Sequence, residues 1–468
     1  HMQRRNFLKA GFGLGGAVAI GGGATMSAFT TPTMASSEDY KAIVYLYIHG
    51  GNDGWNMITP MDTAGYAQYK KLRADIALPQ GSLIPLSAEF AMHGELAPLK
   101  AAWDEGAMGV VHNVGILARP LTKAQLYNPP GPGYVPDGIA SHVAGSALWQ
   151  TGGSDASWMN HGGASVAPPG WGAGALDQLG SSGVWGGGLF GNGRNRSSEY
   201  PASPNAYGFQ GFTGSDNIWS DKGASMRYQK FQKLIQAHRG ANTMEGAYAA
   251  MQDQVVDLTA RLNPVFMQNA GDPAALEISA AFNNLTDLGA WGALSYQMFQ
   301  IAKLIKNRAI VGGNRHVFLC TLPFGDTHWA QLDQQGAGLH GVGKAMGSFY
   351  QAMKALGLSN NVTALTGSDF GRTYSSNGGG TDHAWGNEHI VVGGAVKTKF
   401  TGKYPLLELG GIDDADSGDG SRGRWIPTTS VDQYVGTVLK WFDSRIDLTK
   451  LLPHLSNFPN PDLGFMRT

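Results

Sequence analysis

The stretch Tyr40-Lys41-Ala42-Ile43-Val44-Tyr45-Leu46-Tyr47-Ile48, stopping at His49-Gly50-Gly51-Asn52-Asp53-Gly54, decides the fold. Its run of β-branched and aromatic residues reads as a buried strand that ends in a tight, glycine-rich turn. Outward from it, Leu96 to Glu105 suits a short helix and Met108 to Val114 a second strand, a βαβ start to a mainly parallel sheet. A third strand, His316 to Leu322, runs into Pro323-Phe324-Gly325-Asp326-Thr327-His328. A helix is expected from Leu339 to Leu356, and a fourth strand, Asn361 to Thr366, runs into Gly367-Ser368-Asp369-Phe370-Gly371-Arg372-Thr373. Val431 to Ile446 reads as a closing helix. In such a sheet ligands collect beyond the carboxyl ends of the strands.

Between Pro129 and Ser225, Gly, Pro, Ser and Asn dominate, so loops are expected there, with short helices after Ser141 and over Ala173 to Leu179. From Met226 to Asn307 the spacing turns helical, as in Tyr248, Met251, Val255, Leu258 and Leu262. Residues 36–468 therefore read as one α/β domain, with 152–310 a loop-rich and helical insertion or cover. Lys and Arg number 34 against 35 Asp and Glu with no block of one sign, which gives nucleic acid or an anionic membrane surface no footprint. Cys320 is alone, so the chain forms no internal disulfide, and its apolar neighbours mark it as a buried strand residue.

Residues 1–35 read as an address. After His1-Met2, read as a cloning remnant, Gln3-Arg4-Arg5-Asn6-Phe7-Leu8-Lys9 precedes a weakly apolar run from Ala10 to Phe29, the layout of a twin-arginine signal. Seven glycines between Gly11 and Gly23 make a stable membrane span a poor reading. Cleavage is expected before Ser36, with Met26-Ser27-Ala28 as a second site, and the product is expected in the periplasm or outside the cell. That route carries folded cargo, which suits a protein loaded with its metal in the cytoplasm.

Three expected strands each end in an acid, Asp53, Asp326 and Asp369, and gathering them in one crevice is costly unless a cation compensates. Acids beside glycine are also ordinary turn residues. His328 stands two residues after Asp326, on the same side of an extended segment, and Asp382-His383 and His389 follow the loop from Ser375 to Gly380. Mixed oxygen and nitrogen donors suit zinc first, then manganese or iron, better than calcium. Ser141 reads either as a nucleophile at a helix start or as a plain N-cap, and His142 beside it as ligand or acid. Arg372 suits a phosphate or sulfate oxygen pair, or else an ion pair with Asp369 or Asp382. Trp55, Trp329 and Trp385 flank these motifs as core, rim or sugar subsite.

Taken jointly, Gly50-Gly51-Asn52-Asp53-Gly54, Asp326-Thr327-His328, Ser368-Asp369-Phe370-Gly371-Arg372-Thr373, Gly380-Thr381-Asp382-His383 and Gly393-Gly394-Ala395-Val396-Lys397 resemble an uncharacterised family of twin-arginine-exported proteins. That family is grouped by fold with the alkaline phosphatases and sulfatases. The resemblance implies a three-layer sandwich of helices about a mainly parallel sheet, with one or two metal ions at the strand ends. It implies Asp53 as ligand to one ion and Asp326 with His328 as ligands to the other. Ser368-Asp369 resembles the place of an Asp-His pair, where Phe370 occupies the histidine's position and Asp382-His383 would supply the missing donor. Ser141, with Thr151-Gly152 downstream, resembles the nucleophile segment, and the lack of a nearby Cys excludes a formylglycine.

The expected function is an exported metal-dependent hydrolase of phosphate or sulfate esters acting on a small-molecule or glycan substrate. Asp53, Asp326, His328, Asp369, Asp382, His383 and His389 are its candidate ligands, and Ser141, Arg372 and His142 its catalytic candidates. A secreted binding or surface-assembly protein that keeps the fold, and a redox or isomerase-type metalloenzyme, are the rivals. The oligomeric state is left open.

Overall fold

The computed structural model describes residues 39–156, 168–180, 184–185, 268–285 and 292–467, together with scattered positions between 229 and 265. The export segment 1–35 and most of the expected cover between 181 and 261 lie outside the described residues. The strands are β1 (Lys41–Ile48), β2 (Ile58–Pro60), β3 (Ile84–Pro85), β4 (Phe90–Met92), β5 (Met108–Gly115), β6 (Val184–Trp185), β7 (Arg315–Leu322), β8 (Val362–Ser368), β9 (Asn387–Val392), β10 (Phe400–Thr401) and β11 (Thr429–Ser430). The main helices are α1 (Thr63–Arg73), α2 (Lys100–Asp104), α3 (His142–Thr151), α4 (Trp171–Gln178), α5 (Gly292–Lys306), α6 (Gln331–Ala355) and α7 (Val431–Phe442).

The principal sheet runs β10-β5-β9-β8-β1-β7-β6, with β11 also on β5, and β2, β4 and β3 form a small second sheet. Every pairing in the principal sheet is parallel except those of β9, which lies antiparallel to both β5 and β8. The expected βαβ start therefore holds in direction but not in adjacency, because β8 and β9 separate β1 from β5.

Alternation along the strands splits the core into two layers. Ala42, Val44, Leu46 and Ile48 of β1 face one layer with Leu339, Val342 and Met346 of α6 and Met298 and Ile301 of α5. Ile43, Tyr45 and Tyr47 face the other with Trp149 of α3, Trp171 of α4 and Tyr434 and Val438 of α7. Helices thus cover both faces, and Cys320 is buried as expected. Helix α7 opens on a capping box between Ser430 and Gln433. Among the described residues no helix is long and apolar enough to cross a membrane.

Register positions the site. Ile48 of β1 lies opposite Leu322 of β7 and opposite Ser368 of β8, so three parallel strands finish level and deliver their loops to one edge.

Candidate metal centre

The three loops are locked to one another by backbone contacts. The Gly325 N–H donates to the His49 carbonyl at 2.9 Å, and Gly50, with φ of 102°, lies so close to the Asp326 backbone that any side chain there would collide with it. The segment 380–384 folds back on the loops of β8 and β7: Thr373 N–H donates to the Asp382 carbonyl and Ala384 N–H to the Gly371 carbonyl in the first, and Thr381 N–H to the Thr327 carbonyl in the second. Helix α3 enters from outside the sheet. Ser141 caps it by accepting from the Ala144 N–H at 3.3 Å, and Gly145 lets the helix rest on the backbone of Asp369, where a Cβ would collide with the carbonyl. This contact presents His142, the first helical residue, to the strand ends.

His142, Asp326 and His383 each place a ligand atom within 4.8 Å of the other two. His142 Nε2 is 3.5 Å from Asp326 Oδ2, and His383 Nε2 is 3.3 Å from Asp326 Oδ1. His328 joins them, its Nε2 lying 3.1 Å from Asp326 Oδ1 and 3.2 Å from His383 Nε2. The opposite ring nitrogens are all engaged behind this group: His142 Nδ1 with Asp369 Oδ2 at 2.8 Å, His328 Nδ1 with Asp382 Oδ1 at 3.4 Å, and His383 Nδ1 with the Ala140 carbonyl at 3.0 Å. Three imidazoles backed at Nδ1 and turned inward at Nε2 onto one carboxylate form a donor set that fits a zinc-type cation.

Electrostatics follow the same plan. Partial burial pulls Asp326 upward, but the Arg372 hydrogen bond and charge, with His142 and His328, outweigh it and hold the carboxyl below its ordinary range. Partial burial likewise opposes Asp382, yet the Asn377 hydrogen bond, Arg422 and His328 bring it down. Burial, helped by Arg372 and His142, lowers His383 and favours the neutral, ligating imidazole. Of this group His142 and Asp326 line a cleft of about 480 Å³, together with His49, Val143, Ser146 and Asp369 among others, whereas His328 and His383 do not.

Several sequence expectations need correcting. Asp53 does not join the cluster: its carboxylate pairs with Arg73, accepts from the Gln331 amide and caps the turn Gly54–Met57 through the Trp55 N–H at 3.1 Å. Asp369 sits behind His142 rather than among the inward-turned donors, and Asp382 sits behind His328. His389 is buried on β9 away from the cluster, its Nδ1 near the Thr366 hydroxyl at 3.2 Å and its ring against Trp149 and Tyr434. Among the described residues its Nε2 has no hydrogen-bond partner, and burial pushes the ring down to about 3.

Arg372 is not free to grip an oxyanion. Its guanidinium donates to Asp326 at 3.0 Å, to the Gly50 carbonyl at 3.3 Å, and to the hydroxyl and carbonyl of Thr381, so the ion pair is with Asp326 rather than with Asp369 or Asp382. Ser141 acts as the cap and does not line the cleft. Phe370 packs its ring 4.9 Å from His142 and 4.5 Å from His383. Trp55 and Trp385 are buried, whereas Trp329 is 68% exposed. Sequence reading missed His49 and Ser146 as cleft residues. Ser146 had a signal, because it lies four residues beyond His142 on the same helix face.

No curated protein matches the chain. A family model described as "Protein of unknown function (DUF1501)" matches residues 40–405, a span that carries all three strand ends and every residue of the cluster. With that share of the sequence matched, the chain belongs to the DUF1501 family.

Proposed function

We propose that the chain is an exported, divalent-metal-dependent hydrolase of phosphate or sulfate esters, built on the alkaline-phosphatase-like plan that its motifs resemble. One observation carries this reading: three imidazole Nε2 atoms turn toward Asp326 while each Nδ1 is held from behind. His142, Asp326 and His383 would hold one cation, with His328 beside them, and zinc is the first candidate. A cation there would supply a Lewis acid for an ester oxygen and acidify water.

The chain's own residues do the rest. Arg372 fixes Asp326, Asp369 and Asp382 orient His142 and His328, and Val143 and Ser146 shape the cleft that receives the ester. With the Ser141 hydroxyl engaged as a helix cap, water is the favoured attacking group. The paired Arg4-Arg5 motif supports export as part of the same proposal.

Metal analysis of the purified protein followed by chromogenic phosphate mono- and diesters and sulfate esters tests this. About one divalent ion per chain is expected at a site with this donor set, with turnover lost in His383→Ala and on chelation. Turnover that survives both would refute it. A second reading, a metal-holding binding protein without turnover, is favoured by one fact: no Lys or Arg lines the cleft among the described residues, and Arg372 is fully engaged. Bound metal with every ester left intact would select that reading.

A further inference from the structure

Asp369 is nearly fully buried, and both of its oxygens receive hydrogen-bond donors from the fold itself. The Tyr47 hydroxyl donates to Oδ1 at 2.6 Å and the Gly50 N–H donates to Oδ2 at 3.0 Å. His142 Nδ1 meets the same Oδ2 at 2.8 Å. Tyr47 is buried on β1, and its burial together with the adjacent Asp369 raises its hydroxyl well above the ordinary range, so it stays a donor. A carboxylate held by two donors has only acceptor capacity to offer the ring, which requires the proton of His142 to sit on Nδ1. In the neutral ring the Nε2 lone pair then faces Asp326 and His383.

We propose that Tyr47 and Asp369 are positioning residues that fix the tautomer and direction of His142, so that the centre is assembled before any cation arrives. This rests on the metal reading above for its purpose but not for its structural test. The chain of contacts runs from β1 through the loop of β8 to the first residue of α3, and so couples three elements at this edge. Asp369→Leu keeps most of the volume but offers Nδ1 no acceptor, so nothing in the fold holds the ring proton there and the Asp326 carboxylate beside Nε2 draws it to that nitrogen instead.

The experiment uses the whole chain with 15N-labelled histidine, His142 being assigned by its loss in His142→Ala. Long-range 1H–15N spectra of the metal-free protein read the tautomer, and zinc titration reads affinity. The wild type should show the Nδ1–H form. Asp369→Leu should shift His142 to the Nε2–H form and weaken zinc by about 10–100-fold, the effect typical of an outer partner of a ligand histidine. The near-isosteric Tyr47→Phe should keep the tautomer and weaken zinc by a smaller factor, which guards against a folding defect in the first variant. An Nε2–H form in the wild type, or an Asp369→Leu protein with unchanged tautomer and zinc affinity, overturns the proposal. A wild type that takes up no zinc removes the metal reading alone, because the tautomer still decides the role of Asp369.

Discussion

Asp53 and Arg73 provide the sharpest test of how this edge is built. Both side chains are fully buried, and Arg73 also donates to Asn56 Oδ1 at 3.2 Å and to the carbonyls of Tyr374 at 3.0 Å and Thr373 at 3.3 Å. Arg73→Met preserves most of the volume but leaves the Asp53 carboxylate with only the Gln331 amide and the Trp55 N–H. Removing one partner of a buried pair strands the other charge, at a cost of about 3–5 kcal/mol. Asp53→Asn strands the guanidinium instead and should cost a similar amount. The double variant strands neither, so its loss should fall short of the sum by about 1–3 kcal/mol. Equilibrium urea unfolding of the four proteins, with metal content measured in parallel, reads the cycle. Single losses below about 1 kcal/mol would refute the assignment, since breaking a buried pair cannot be that cheap. So would an Asp53→Asn protein of normal stability that has lost its metal, the behaviour of a ligand rather than an anchor.

Two further substitutions separate structural from functional residues. Burial holds His389 down to about 3 and His316 down to about 4, whereas the same rings titrate near 6.5 when unfolded. The folded chain then binds fewer protons than the unfolded one below pH 6.5, so stability present above that pH is lost as pH falls toward 4. His389→Leu should flatten part of this loss in urea midpoints taken at descending pH, with metal content unchanged; an unaltered slope contradicts the burial account. Ser141→Ala should cost about 1 kcal/mol by removing the cap of α3 and leave any ester turnover within a few-fold, whereas abolished turnover at normal stability would restore Ser141 as the nucleophile.

The sheet was legible because its signals are local. β1, β7 and β8 are unbroken apolar runs bounded by glycine-rich turns, and their observed limits differ from expectation by a residue or two. β9 was missed because Glu388 and His389 look like surface or ligand residues in sequence. In the fold Glu388 is buried against His112 Nδ1 at 2.5 Å and the Asn113 N–H at 3.0 Å, a pairing with β5 that no periodicity reveals. Helix α6 starts at Gln331 rather than Leu339 because its polar first turns face the site: Gln331 reaches Asp53 and Thr381, and Gln335 reaches the Asp53 carbonyl. Arg73 carries no signal in sequence, because nothing in Lys70-Lys71-Leu72-Arg73 marks one of its cations for burial. Its partner lies on another element.

Acids gathered at three strand ends demand a cation only where the fold leaves them uncompensated, and arginine already reaches two of the three, Arg73 at Asp53 and Arg372 at Asp326 at 3.0 Å, while Arg422 reaches the neighbouring Asp382 at 3.3 Å. Asp369 is met instead by a hydroxyl, a backbone N–H and an imidazole. Carboxylate density alone therefore no longer requires an ion here, because the desolvation cost of these acids is met within the protein. What still asks for one is the imidazoles. His328 and His383, each anchored at Nδ1, bring their Nε2 atoms within 3.2 Å of each other and within 3.1 and 3.3 Å of the arginine-bound Asp326 carboxylate, so each gains little from the fold at that inner nitrogen. Protonating all three rings at once would crowd like charges within a few ångströms, and leaving all three neutral aims lone pairs at one another. A cation resolves both, so the case for a metal centre rests on His142, His328 and His383, with Asp326 as their shared acceptor.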